Sequence, residues 1–207
     1  MDYTLQIANV CYNIGMGLPA EKRKYTTQEY LEMEEKAVER HEFHDGEILM
    51  MSGGTLRHSR IVMNTGATLH ALLKGKPCFA LDSNMRVRIS DRWHYVYPDI
   101  SVVCGTPIFD PDDPKKTTII NPRVVIEVLS ESTESYDRGG KFDLYRQVPS
   151  LEEYVLVSQW QPMVETYLRQ PDDNTWLLSP YKGPTATLRS LQINLPFAEI
   201  YDGIDFE

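Results

Sequence analysis

The run Val124-Val125-Ile126-Glu127-Val128-Leu129 puts one carboxylate inside a stretch that is otherwise apolar at every position. A near-continuous Val/Ile/Leu segment reads as a strand covered on both faces. An ionised Glu in such a place costs several kcal/mol unless it is paired or binds a metal. A second carboxylate interrupts another apolar strand, Tyr95-Val96-Tyr97-Pro98-Asp99-Ile100-Ser101-Val102-Val103, where Asp99 opens the segment just after Pro98. Side chains alternate along a strand, so Val125, Glu127 and Leu129 share one face. If the two strands are neighbours, Asp99 and Glu127 reach one divalent cation. Oxygen donors select hard ions, which favours Mg²⁺ or Mn²⁺.

At 207 residues, 42% of them hydrophobic, the chain can bury a core as one domain. The net charge of −9 argues against broad, nonspecific nucleic-acid binding but leaves room for a local basic patch. No apolar run approaches the roughly 20 residues that span a bilayer. The start, Met1-Asp2-Tyr3-Thr4, lacks the basic region and apolar stretch of a signal peptide, so a cytoplasmic location is expected. Cys11, Cys78 and Cys104 are odd in number and form no CxxC pair, so they read as reduced, small hydrophobic residues.

Residues 1–25 read as an N-terminal tail or arm and residues 26–207 as a single α/β domain with a mixed sheet. Thr26-Thr27-Gln28-Glu29 is a capping box that opens a helix to about Arg40. Asp45-Gly46 between Glu42-Phe43-His44 and Glu47 to Met51 is a two-residue hairpin signal. Ile61, Thr65, Thr68, Leu69 and Leu72 recur at helical spacing from Leu56 to about Leu73, and Gly75 ends the pattern. Strands are expected at Cys78 to Leu81, Met85 to Ile89, Glu153 to Ser158, Met163 to Leu168 and Thr175 to Leu178.

Ser130 to Ser135 supplies caps for a helix running to about Gln147, in which Asp137, Lys141, Leu144, Tyr145 and Val148 share one stripe. Lys141 then turns towards the sheet, where a half-buried lysine beside carboxylates and a metal suits a phosphate. The same spacing is equally compatible with an Asp137–Lys141 surface pair worth about 0.2–0.5 kcal/mol. Arg86, Arg88 and Arg92 lie along or beside one hairpin, where they contact phosphates or protect a sheet edge. His41, His44, His70 and His94 show no zinc spacing.

Pro98-Asp99 followed by Glu127-Val128-Leu129 resembles the PD-(D/E)xK signature of restriction-endonuclease-like nucleases. The longer string Ile126 to Ser130, Ser132-Thr133, Tyr136-Asp137-Arg138, Lys141, Tyr145 and Glu153-Tyr154 is similar to the Uma-type endonuclease family. The hairpin from Glu42 to Met51, His58, and the ending Leu195 to Tyr201 match it too, so the resemblance runs from about Thr26 onward. It implies a restriction-endonuclease-like mixed β-sheet core flanked by helices, with additional hairpins. It implies DNA phosphodiester hydrolysis with Mg²⁺ or Mn²⁺ held by Asp99 and Glu127, and a homodimer. Where the superfamily signature expects a lysine, the chain has Leu129, and the family's lysine falls on the following helix as Lys141. Catalytic roles are therefore expected of Asp99, Glu127 and Lys141, with Glu47, His58 and Tyr145 as accessories. Two other readings compete. One is a catalytically silent nuclease-fold module that binds nucleic acid or protein, and the other an oligomeric scaffold built on exposed C-terminal hairpins.

Overall fold

A computed structural model describes residues 23–51, 53–89, 94–172 and 175–206. Most of the expected N-terminal arm, with Cys11, lies outside the described residues, as does Arg92. The capping box forms: the Thr26 hydroxyl accepts from the Glu29 backbone N–H, and the Glu29 carboxylate accepts from the Thr26 N–H at 2.8 Å. It opens α1 (Thr27–Glu34), which is shorter than the helix to Arg40 that the sequence suggests. The Glu34 carboxylate accepts from the backbone N–H of His41, and so fastens the chain reversal that ends the helix. Beyond it, β1 (His41–His44) and β2 (Glu47–Met50) flank Asp45 and Gly46, whose φ values of 46° and 89° are those of a type I′ hairpin turn.

Helix α2 (Leu56–Leu73) buries Ile61, Thr65, Leu69 and Leu73, a stripe at four-residue spacing. The strands β3 (Cys78–Asp82), β4 (Arg86–Ile89), β5 (His94–Val96), β6 (Ile100–Cys104), β7 (Thr118–Ile119) and β8 (Val124–Val128) follow. After α3 (Glu134–Arg138) and α4 (Gly140–Tyr145) come β9 (Glu153–Val157), β10 (Val164–Arg169) and β11 (Trp176–Tyr181). The hairpin β12 (Thr185–Leu188) and β13 (Ile193–Pro196) leads into α5 (Phe197–Ile200). One sheet has the order β11-β10-β9-β8-β6-β3 and the other β2-β1-β5-β4-β7. Parallel pairs β8/β9 and β4/β7 make both sheets mixed.

The segment Tyr95–Val103 is two strands, not one. Its first half, β5, belongs to the smaller sheet and its second half, β6, to the larger. Pro98 lies between them, with no N–H to give to a ladder and a fixed φ. Asp99 therefore stands at the corner where the two sheets part. The expected helix running to about Gln147 is also divided, because Gly139 adopts φ −122° and ψ −92° between α3 and α4. The stripe survives the break, with Asp137, Lys141 and Tyr145 all buried.

Strand β8 is covered on both faces, as its composition demands. Val124, Ile126 and Val128 join Ile61 and Leu69 of α2 in one core cluster. Val125 and Leu129 join Tyr145, Val148 and Leu151 in another. Each fully buried Val, Leu or Ile there contributes about 1.5–3 kcal/mol. Of the C-terminal hairpins, β12/β13 is not exposed, since Ala186, Leu188, Ile193 and Leu195 are buried in the first cluster, whereas β11 of the β10/β11 hairpin exposes Leu177 and Leu178.

One further expectation is corrected, and one open alternative is resolved. Cys78 and Cys104 are disulfide-bonded rather than reduced, because β3 and β6 pair in a register that sets them opposite each other. No spacing rule reveals a cross-strand neighbour 26 residues away. Arg86 and Arg88 are not offered to a ligand's phosphates along a strand face. Arg86 is buried against Asp113 at 3.2 Å, and Arg88 reaches Asp110 at 2.6 Å and Asp112 at 3.3 Å. They secure the loop between β6 and β7.

Candidate active site

The register of β6 on β8 sets Ile100 against Ile126, so one step along the ladder Asp99 faces Glu127. Each carboxylate is held by the other's strand. The Asp99 N–H donates to Glu127 Oε2 at 3.4 Å, and the Val128 N–H donates to Asp99 Oδ2 at 2.8 Å. His58, in the first turn of α2, brings Nε2 to 3.2 Å from the same Asp99 oxygen. Its ring fits because residue 54 is a glycine, where a Cβ would lie 2.8 Å from His58 Nδ1.

Lys141 enters from the opposite side of the sheet corner. Its Nζ lies 2.9 Å from Glu127 Oε1, 3.5 Å from Glu42 Oε1 and 3.8 Å from Asp137 Oδ1. The lysine is buried, so the surface-pair alternative fails on geometry; Asp137 is one of three partners and the most distant. The Tyr145 hydroxyl donates to Glu127 Oε1 at 3.0 Å and fixes that carboxylate's orientation. Glu42, on the inward face of β1, accepts from the Tyr97 N–H at 3.1 Å and lies 3.0 Å from His44 Nε2.

Three carboxylates thus surround one ammonium. Burial alone would lower the Lys141 pKa, but Glu127, Glu42 and Asp137 together outweigh it and hold the lysine charged, well above its ordinary value. Burial would raise the Glu42 pKa, but Lys141, His44 and the Tyr97 N–H bring it down to about 2. Asp137 moves up, because burial and the charges of Asp99 and Glu42 exceed the pull of Lys141. The centre is short of positive charge.

Asp99, Glu127, Lys141, His58 and Tyr145 converge as a set. Glu47 does not join them. It is half-buried opposite His44 at the turn end of β2, and its side chain makes no hydrogen bond or ion pair among the described residues. The hairpin's contribution is Glu42 instead. Glu42 and Asp137 are the two central residues that pattern reading missed. Glu42 looked like an ordinary charged strand residue, and Asp137 like half of a helix-surface pair.

The residues suit a hard, heavily hydrated ion. Among the described residues no three His, Cys, Asp or Glu side chains form a ready cation cage. Mg²⁺ is ordinarily held by one or two carboxylates together with waters and substrate phosphates, and the Asp99–Glu127 pair offers that. In front of Asp99 and His58 opens a cleft of about 740 Å³, lined also by Met63, Val62 and Gly66 of α2.

The family described as "Putative restriction endonuclease" (Uma2) matches residues 27–198. The chain belongs to the Uma2 family. Two relatives in Synechocystis sp. are uncharacterized proteins. One, slr1290, is 38% identical over 185 residues, covering 88% of this chain and 94% of the relative. The other, sll1609, is 34% identical over 173 residues, covering 84% and 96%. A solved structure from Anabaena variabilis, described as "a putative nuclease belonging to DUF820", superposes with a TM-score of 0.67. It covers 86% of this chain and 97% of that one at 18% identity, a likeness that shows the fold. The family's description points to a nuclease; the structural likeness gives the fold, mixed sheets flanked by few helices. Among the described residues no helix is long and apolar enough to cross a membrane.

Proposed function

We propose that this Uma2 chain is an endonuclease that hydrolyses DNA phosphodiester bonds with the help of Mg²⁺ or Mn²⁺. The observation that carries the reading is the Asp99–Glu127 pair, locked across adjacent strands with Lys141 Nζ 2.9 Å from Glu127. Asp99 and Glu127 would hold the ion, which supplies polarisation of the phosphate and a bound water of lowered pKa. Lys141 stabilises the charge that develops on the phosphate oxygens. Glu42 and Asp137 hold Lys141 protonated and in place, and Tyr145 orients Glu127. His58 orients Asp99 from the cleft side. A homodimer, addressing two strands with two sites, and a cytoplasmic place of action belong to the same proposal.

One observation favours the second reading, a silent nuclease-fold module: Lys141 is already engaged by three carboxylates. Nicking of supercoiled plasmid in Mg²⁺ or Mn²⁺ separates the two. Loss of nicking with chelator and in Glu127→Gln, at unchanged thermal stability, supports the nuclease. Nicking that survives Glu127→Gln removes this site from the reaction. No nicking by the wild type, with strand binding retained, supports the module.

A further inference from the structure

The acid–lysine centre has two sides. The cleft beside α2 is lined by Asp99 and His58 but by neither Glu127 nor Lys141. On the lysine's side, a chain of contacts runs from Glu42 outwards. Glu42 and His44 stand two apart on β1 and so share a face, while Phe43 turns the other way to pack with Tyr30 and Tyr95. Glu42 Oε1 lies 3.5 Å from Lys141 Nζ, and its Oε2 lies 3.0 Å from His44 Nε2. His44 Nδ1 in turn lies 3.5 Å from the hydroxyl of Tyr136 on α3, and the two rings meet edge to face at 81°.

The chain opens as it goes. The side chains of Glu42 and His44 are 11% and 14% exposed, whereas Tyr136 is 38% exposed. Its ring sits on Gly140, where a Cβ would lie 3.0 Å from Cδ2 and Cε2, so the helix that carries Lys141 also seats the phenol. Burial and the charge of Glu42 outweigh the pull of Lys141 and raise the Tyr136 pKa, so the hydroxyl keeps its proton.

Hydrolysis of a phosphodiester adds water oxygen to phosphorus on one side and expels a sugar oxygen in line on the other. An alkoxide leaves poorly without a proton, and a positioned acid is worth about 10²–10⁴-fold. When water attacks from the Asp99 side, the sugar oxygen leaves on the side of Lys141, where Tyr136 stands between the centre and solvent.

We propose that Tyr136 is the general acid that protonates the leaving sugar oxygen, its hydroxyl positioned by His44. The bond from phosphorus to that oxygen breaks, and its electron pair takes the phenol proton. The attacking water forms the new bond to phosphorus and gives a proton to solvent, and the exposed phenolate recovers one from solvent. This rests on the nuclease reading of the same centre.

The test compares cleavage of a labelled DNA duplex with that of the same duplex carrying sulfur in place of the bridging oxygen, because a thiolate leaves without a proton. Full-length wild type and Tyr136→Phe are assayed in Mn²⁺. Tyr136→Phe should slow cleavage of the oxygen duplex about 100-fold and leave the sulfur duplex near the wild-type rate. Its Tm, measured without metal, should equal that of the wild type. His44→Phe should show the same substrate split in weaker form. A sulfur-to-oxygen rate ratio that stays at the wild-type value in Tyr136→Phe overturns the proposal and leaves the nuclease reading standing. So does a loss of cleavage that merely follows a lowered Tm. A wild type that cleaves neither duplex overturns both.

Discussion

Two of the cations buried against carboxylates, Arg86 and Lys141, are held on opposite terms. At the β6–β7 loop, Asp113 accepts from Arg86 Nη2, from the Thr117 N–H and hydroxyl, and from the Thr118 hydroxyl. The Arg86 guanidinium, whose Nε and Nη1 lack hydrogen bonds, lies near the rings of Tyr30 and Tyr97 at 5.7 and 5.9 Å. Acid and base are matched, and the carboxylate is saturated by its own loop. Around Lys141 three carboxylates share one ammonium, and a fourth, Asp99, turns towards a cleft. A balanced buried pair holds structure together; at the other site one ammonium serves three carboxylates, and burial pushes Glu127 and Asp137 above their ordinary pKa values.

The largest effect that can break this comparison is at the balanced site. Asp113→Ala leaves Arg86 buried without its counter-charge and should cost about 3–5 kcal/mol in chemical denaturation. Cleavage per folded molecule should be unchanged. Loss of cleavage in a folded Asp113→Ala protein would make the loop part of the active site.

At the unbalanced site, Mn²⁺ at one hundred times its dissociation constant should stabilise the fold by about 2.7 kcal/mol, read as a rise in Tm. Asp99→Asn should abolish that rise. An equal rise in the variant would put the cation elsewhere.

Acid titration sharpens the contrast further. The folded pKa of Glu42 lies below its ordinary value of 4.5, at about 2. Its contribution is thus fully present above pH 4.5 and is lost as pH falls towards 2, because the unfolded chain takes up the proton first. Glu42→Gln should flatten the stability profile over that window. A profile that stays parallel to wild type would mean that Lys141 does not hold Glu42 ionised.

Smaller effects lie outside both clusters. Thr26→Ala removes the capping side chain of α1 and should cost about 0.5–2 kcal/mol in thermal unfolding. Glu47→Gln should change stability by less than about 0.5 kcal/mol and leave cleavage intact. A cleavage defect there would restore Glu47 to the site.

Local chemistry made much of this protein legible from residues alone. Asp45-Gly46 demands a primed hairpin turn, Thr26 to Glu29 a capped helix start, and the Val124–Leu129 run a strand buried on both faces. The cost of burying a charge singled out Asp99 and Glu127, because it is a property of the residue and its immediate neighbours. What only the tertiary structure decided is which distant groups meet. The corner at Pro98 divides an apolar run between two sheets, and the β6–β8 register then sets Asp99 against Glu127. Gly139 breaks a helix yet keeps Lys141 turned inward, and β1 delivers Glu42 in place of Glu47. The Cys78–Cys104 bond and the Arg86–Asp113 pair depend in the same way on strand register and loop return. Register and helix direction arise from the summed packing of whole faces, which no single stretch of residues contains.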